Sequence, residues 1–193
     1  QVEILRNIGD DTVSTVIVAC NTIEEELTMA LQETNIKYPI IWVESGLHNY
    51  PDLLRNRLQE ELDKIKQADY VLLAFGYCGN SAVGLKARNY KLILPRVDDC
   101  ITLLIGSTME RKKISEAAGT YFLTKGWLDN EKNIWEEYKA MVKKYGKERA
   151  DKLNKVMLTH YENLGVVATG AYDINNFLKR SQIVADDLNL KQV

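Results

Sequence analysis

Four residues of this chain carry side chains suited to metal or thiol chemistry, and each stands at the same kind of place: Cys20, His48, Cys78 and Cys100. Each follows a short apolar run. Cys20 follows Val13 to Ala19, His48 comes a few residues after Tyr38 to Val43, Cys78 follows Tyr70 to Phe75, and Cys100 follows Lys91 to Pro95. Thiolate and imidazole together suit zinc, iron and other soft or borderline metals. No Cys-x-x-Cys pair of the structural zinc type is present, so ligands spread over four loops read as a functional site rather than a local staple. Gly76 and Gly79 flank Cys78 and permit a tight turn and a close backbone approach. Cys100 is expected near a helix N-terminus, whose dipole favours thiolate over thiol. Tyr77, Gly79, Asp99 and Trp127 complete the expected ligand-binding set: Tyr77 as a hydrogen-bond donor, Asp99 as a helix cap or a group bonding a ligand, Trp127 as a pocket wall. The plainer reading is that a cysteine at a strand end simply packs. The placement of all three at strand ends is what favours a common site.

The elements that must position these residues follow from periodicity. The β-branched run Val13 to Ala19, bounded by Asp10 and Asp11, reads as a buried strand. Thr22, with Glu25 three residues on, reads as a capping box opening a helix. Tyr38 to Val43 reads as a second strand. Pro51 suits the first position of a second helix, whose apolar stripe is Leu54, Leu58, Leu62 and Ile65. Tyr70 to Phe75 and Lys91 to Pro95 give a third and a fourth strand, with a short helix expected between Asn80 and Asn89. Asp98 or Asp99 caps a helix holding Ile101, Leu104 and Ile105. Tyr121 to Thr124 is a fifth strand. A long amphipathic pattern runs from Ile134 to His160, with Gly146 as a break, and His160 on its apolar stripe reads as a packed histidine. Its Trp135, Tyr138 and Tyr145 fit either an inward face or a homodimer seam. Val166 to Thr169 is a sixth strand, and the helix beginning near Ile174 carries on past Ser181 without a stop signal.

Strands alternating with helices predict an α/β fold: a doubly wound, mostly parallel, Rossmann-like three-layer sheet of about five to six strands in a single domain over residues 1–193. In such a sheet the loops after the strands open at one edge, where ligands bind. The Thr124 to Trp127 and Ala168 to Gly170 loops are expected at that same edge. Gly76-Tyr77-Cys78-Gly79 is neither a phosphate loop nor a dinucleotide fingerprint.

The composition is ordinary for a globular chain: 193 residues, 46% apolar and 27% charged. A net charge of -2 gives no electrostatic drive toward nucleic acid. No apolar run approaches the roughly 20 residues that span a bilayer. With no signal-peptide pattern behind Gln1 and three cysteines rather than a dense even set, a cytoplasmic chain with reduced or metal-bound thiols is expected.

The sequence resembles a bacterial and archaeal domain family of unknown function. The likeness lies in Ala19-Cys20, Leu47-His48, Tyr77-Cys78-Gly79, Asp98-Asp99-Cys100-Ile101 with Leu104-Ile105-Gly106-Ser107, and Gly119 to Trp127. Members of that family are often encoded near corrinoid-dependent methyltransferases. The resemblance thus implies service in corrinoid or methyl-group metabolism, by methyl transfer or cofactor activation, with a small-molecule substrate or a corrinoid protein as partner. The donor set implies zinc first and an iron–sulfur cluster second. The competing expectations are a metal-free small-molecule module and a thiol enzyme using Cys78 or Cys100 with His48 as base.

Overall fold

Side chains of a strand alternate between the two faces of a sheet, so an apolar run sets which face is buried as well as where the strand lies. The computed structural model describes residues 13–129 and 133–193. Asp10 and Asp11, the expected boundary before the first strand, lie outside the described residues. The chain divides into two compact units, Gln1–Leu103 and Leu104–Val193.

The first unit contains β1 (Thr15–Cys20), a 3-10 turn at Asn21–Ile23, α1 (Glu24–Glu33), β2 (Ile40–Val43), a second 3-10 turn at Leu47–Asn49, α2 (Pro51–Lys64), β3 (Tyr70–Ala74), β4 (Lys91–Ile93) and the start of α3 (Cys100–Ile105). The four strands form one parallel sheet in the order β2-β1-β3-β4. Val18 is aligned with Ile41 on one side and Leu73 on the other, and Cys20 with Val43. One face therefore presents Val16, Val18 and Cys20 on β1 beside Val43, Val71 and Leu73. Against it pack Leu54, Leu58, Leu62 and Ile65, the predicted stripe of α2. Pro51 opens that helix, as its fixed φ and missing N–H suit. Burying each leucine contributes about 1.5–3 kcal/mol, so this stripe fixes the sheet that carries the cysteines.

The second unit contains α4 (Thr108–Ala117), β5 (Thr120–Leu123), α5 (Lys125–Leu128), α6 (Ile134–Tyr145), α7 (Lys147–Met157), β6 (Asn163–Val166), α8 (Ile174–Leu188) and β7 (Lys191–Gln192). Its strands form a separate parallel sheet, β5-β6-β7. Phe177, Val184, Ala185 and Leu188 of α8 pack in its core with Leu123, Tyr138, Ala150 and Leu164. Gly146, with φ 79°, ends α6 and separates it from α7, as expected.

The α/β class and the parallel strands agree with the sequence reading; the single sheet of five to six strands does not. Strand–helix alternation tells that successive strands run parallel, but not which are neighbours. β4 has only three residues and pairs with β3, whereas β5 finds its partner in β6. The sixth strand also lies earlier than the β-branched run Val166 to Thr169 suggests. Pairing with Thr120–Leu123 uses Asn163–Val166, where Gly165 accepts the close approach of the Thr120 side chain. The last helix does have a stop: Asn189, left-handed at φ 56°, ends α8 and turns the chain into β7. Among the described residues no helix is long and apolar enough to cross a membrane.

Candidate functional site

Cys20 is the last residue of β1 and shares the buried face with Val16 and Val18. Beyond it the chain coils at once into the Asn21–Ile23 turn, which brings the Thr22 hydroxyl to 3.0 Å from Cys20 Sγ. The predicted capping box is therefore corrected. α1 begins at Glu24 after Ile23, with no side-chain cap bond, because the Thr22 hydroxyl is engaged with the sulfur instead.

Cys78 is placed by an extension of the β3–β4 pairing past the strands proper. The N–H of Tyr77 donates to the Val97 carbonyl at 2.9 Å and that of Cys78 to the Asp98 carbonyl at 2.8 Å. Gly76 lies hard against the same loop. A Cβ there would sit 2.3 Å from Asp99 Cα and 2.4 Å from Asp99 N, so only glycine fits. Cys78, Gly79 and Asn80 all have positive φ, at 42°, 66° and 69°. Left-handed residues cannot nucleate a right-handed helix, and the helix expected from Asn80 to Asn89 is replaced by turns. Gly79 stands over Pro51, with Pro51 Cγ 2.9 Å from where a Cβ would be. Arg55 ties the same loop down, donating to the Asn80 carbonyl at 3.2 Å while pairing with Asp52 at 2.9 Å.

Cys100 opens α3. Asp99 before it is the cap the sequence suggests: its Oδ1 accepts from the Thr102 N–H at 2.8 Å and the Thr102 hydroxyl at 2.9 Å. Thr102 is fully buried, which fixes that carboxylate in place. Gly76 and Cys78 on one side and Asp99 and Cys100 on the other are thus parts of one backbone contact.

These three loops bring the three sulfurs together. Cys100 is the strongest influence on both other thiols, lowering each through side-chain hydrogen bonding. Cys20 falls to about 7, helped by the hydroxyl and N–H of Thr22 and opposed by burial. Cys78 is lowered too, with the Gly76 backbone assisting and burial, Cys20 and Asp99 opposing. Cys100 itself is raised well above the usual thiol range, first by side-chain hydrogen bonding to Cys20 and Cys78, which favours its protonated form, and then by burial. The expectation that the helix N-terminus would ionise Cys100 is corrected on that ground: adjacent sulfurs outweigh a six-residue helix. All three cysteines are free thiols. His48 lies on the Leu47–Asn49 turn, half-buried. Burial lowers its pKa and the Asp99 carboxylate, within electrostatic reach, opposes that shift. Among the described residues, no group of three or more His, Cys, Asp or Glu side chains is arranged as a ready metal site.

The remaining predicted residues divide. Tyr77 serves through its backbone, whose carbonyl also accepts from Ser81 N–H at 2.9 Å. The expectation that Trp127 stands at the same edge requires β5 in the same sheet. β5 instead belongs to the second sheet, and Trp127 packs on the second unit's core with its Nε1 donating to the Tyr121 hydroxyl at 3.3 Å. The Ala168 to Gly170 loop likewise follows a strand of that second sheet. His160 is not on a helical stripe: α7 ends at Met157 and His160 is exposed in the turn that follows. Thr22, Thr102 and Arg55 escape the sequence reading as parts of the site. Of these, Thr22 carries a usable signal, a hydroxyl two residues beyond a strand-end cysteine.

The chain belongs to the family described as protein of unknown function (DUF1638), whose model matches residues 42–193. That span includes His48, Cys78 and Cys100 and begins after Cys20. No curated protein and no solved structure matches the chain.

Proposed function

We propose that Cys20, Cys78 and Cys100, with His48 as a fourth donor, bind a thiophilic metal, zinc in the first instance and an iron–sulfur cluster in the second. The observation that carries this reading is the meeting of three thiols from three separate loops at one edge of a parallel sheet. The strand order reverses between β1 and β3, so in a Rossmann-like reading Cys20 and Cys78 flank the switch point where such sheets bind ligands. Soft sulfur with one imidazole is a donor set that suits zinc or iron. In the form described, Cys100 is held protonated while it lowers the pKa of the other two thiols. Metal binding would displace the thiol protons, as thiolate ligation requires. A bound metal would supply Lewis acidity and a stabilised thiolate. The chain's own contribution is placement: Gly76 lets the Cys78 and Cys100 loops touch, and Asp99 with Thr102 fixes the start of α3. Within this reading the reaction class is methyl transfer or activation of a corrinoid protein, the metabolism implied by the resemblance.

The test is metal content per chain and the visible spectrum of anaerobically purified protein, with single Cys→Ser variants at Cys20, Cys78 and Cys100. Near one zinc per chain without colour, falling below half in each variant, is the expected result. Several irons with sulfide and a broad visible band would select the cluster. No metal, with reconstitution also failing, would overturn the proposal. The lowered pKa values of Cys20 and Cys78 favour a second reading, a thiol enzyme with one of these two, Cys78 being the more accessible, as its activated group. Rapid alkylation of a single cysteine in metal-free protein would support it.

A further inference from the structure

A metal thiolate is tuned by what donates hydrogen bonds to its sulfur, as well as by the ligands themselves. Cys20 Sγ has such a donor built into the turn that follows it. Cys20 is extended, with φ -72° and ψ 133°, and the chain then tightens into the Asn21–Ile23 turn. This reverses the backbone enough for residue 22 to face the side chain of residue 20. Thr22 Oγ1 lies 3.0 Å from Cys20 Sγ, inside a normal range for an O–H···S bond, and the contact is buried. Thr22 is 7% exposed, so water does not compete for its hydroxyl. Once Cys20 binds a metal it has no proton to give, and the hydroxyl must be the donor.

We infer that Thr22 is the positioning residue of the thiol site, its hydroxyl donating to Cys20 Sγ, so that this sulfur is fixed in place and its donor strength toward a metal is set. The assignment rests on the metal reading above. Threonine suits the task because its branched Cβ restricts χ1 and holds the hydroxyl in one direction. The residue bears on the site through Cys20 alone.

The experiment is a titration with Co(II), a coloured stand-in for zinc, on the full chain and on Thr22→Val, Thr22→Ser and Thr22→Ala. Valine keeps the shape and removes only the hydroxyl. The expected result is Co(II) affinity about tenfold weaker in Thr22→Val. Its sulfur-to-cobalt charge-transfer band should move to lower energy, since a sulfur that has lost a donor gives up electrons more easily. Thr22→Ser should restore both affinity and band position. Thr22→Ala should match Thr22→Val in the band, which separates hydroxyl loss from a packing defect; simple unfolding would lower the bound fraction without moving the band. Two outcomes overturn the proposal and are distinguishable. If the unaltered chain takes up no cobalt, the metal reading fails and this assignment with it. If the unaltered chain binds but Thr22→Val shows the same affinity and band, the Thr22 assignment alone fails.

Discussion

The chain builds two parallel sheets, and their C-terminal edges are finished differently. In the four-stranded sheet the loops leave their strands through Cys20, Cys78 and Cys100, with three consecutive left-handed residues at Cys78 to Asn80 and a glycine pressed on Asp99. In the three-stranded sheet the loops are closed by ordinary caps. Thr124 Oγ1 accepts from Trp127 N–H at 3.2 Å, Asp173 Oδ1 accepts from Asn175 N–H at 3.0 Å, and the Tyr172 hydroxyl bonds back to the Val167 carbonyl. Non-glycine residues in the left-handed region each cost roughly 1 kcal/mol or more, and they persist where surrounding contacts over-determine them. The first edge holds such a residue at a cysteine. Among the described residues, the loops that follow β5 and β6 hold no such residue, and the positive φ there belongs to Gly170. Strain and soft donors therefore coincide on one sheet only, which is the argument for placing the chemistry there.

The sharpest way to break this contrast is to add one methyl group at each edge. At Gly76 the new Cβ would lie 2.3 Å from Asp99 Cα, a backbone atom that cannot swing aside as a side-chain end can. Gly76→Ala should cost about 3 kcal/mol, the upper end for overpacking, and should separate the Cys78 and Cys100 loops. At Gly170 nothing stands within 4 Å, and the only cost is the positive φ of 82°. Gly170→Ala should cost about 1 kcal/mol. Hydrogen exchange read peptide by peptide distinguishes the two. Gly76→Ala should speed exchange strongly in β1 and β3 and leave β5 and β6 as they are. Gly170→Ala should speed exchange only slightly, and in β6 rather than in the first sheet. Equal effects of the two variants would mean that the first edge is no tighter than the second.

A smaller test concerns Trp127, the residue that the sequence reading assigns to the site and the structure assigns to the second unit. Trp127→Phe removes the donor to the Tyr121 hydroxyl. It should cost about 1 kcal/mol, seen as faster exchange in β5, and should leave metal content per chain unchanged. Loss of metal without faster exchange would show that Trp127 serves the site.

The first unit's strands, the Leu54 to Ile65 stripe and the place of the three cysteines after strands of one parallel sheet are legible in the sequence, because each depends on local periodicity and on the rule that parallel strands share an edge. The Asp99 cap is legible for the same reason. The division into two sheets is not, because pairing between β5 and β6 joins residues about forty apart and leaves no mark in either strand's own pattern. That Trp127 follows a strand of the second sheet is a direct consequence. Thr22 misleads because a threonine before an acidic run fits a capping box equally well, and only the folded turn shows its hydroxyl directed at sulfur. The thiol expected to ionise misleads as well, since a helix N-terminus can be seen in sequence and two neighbouring sulfurs cannot.

The smallest expected effect separates the first edge's ionic frame from its thiols. Glu61 on α2 is paired with Lys64 at 2.8 Å and with Arg57, and Arg57 also reaches Glu44 just beyond β2 at 3.1 Å. Lys64 first and Arg57 second hold the Glu61 carboxyl below its ordinary value of 4.5. A carboxyl with a depressed folded-state pKa stabilises the fold fully above the unfolded value and loses that contribution as pH falls through the folded one. Glu61→Gln should therefore lower the urea midpoint at neutral pH, by an amount worth at most about 1 kcal/mol because its partners reach solvent. Below the ordinary carboxyl value the variant and the parent chain should converge. Metal content should not change, since Glu61 braces α2 against the end of β2 and touches no sulfur. A gap between the two chains that persisted unchanged into acid would show that Glu61 acts through packing, and the ionic frame would then contribute nothing to holding α2 beside the thiol edge.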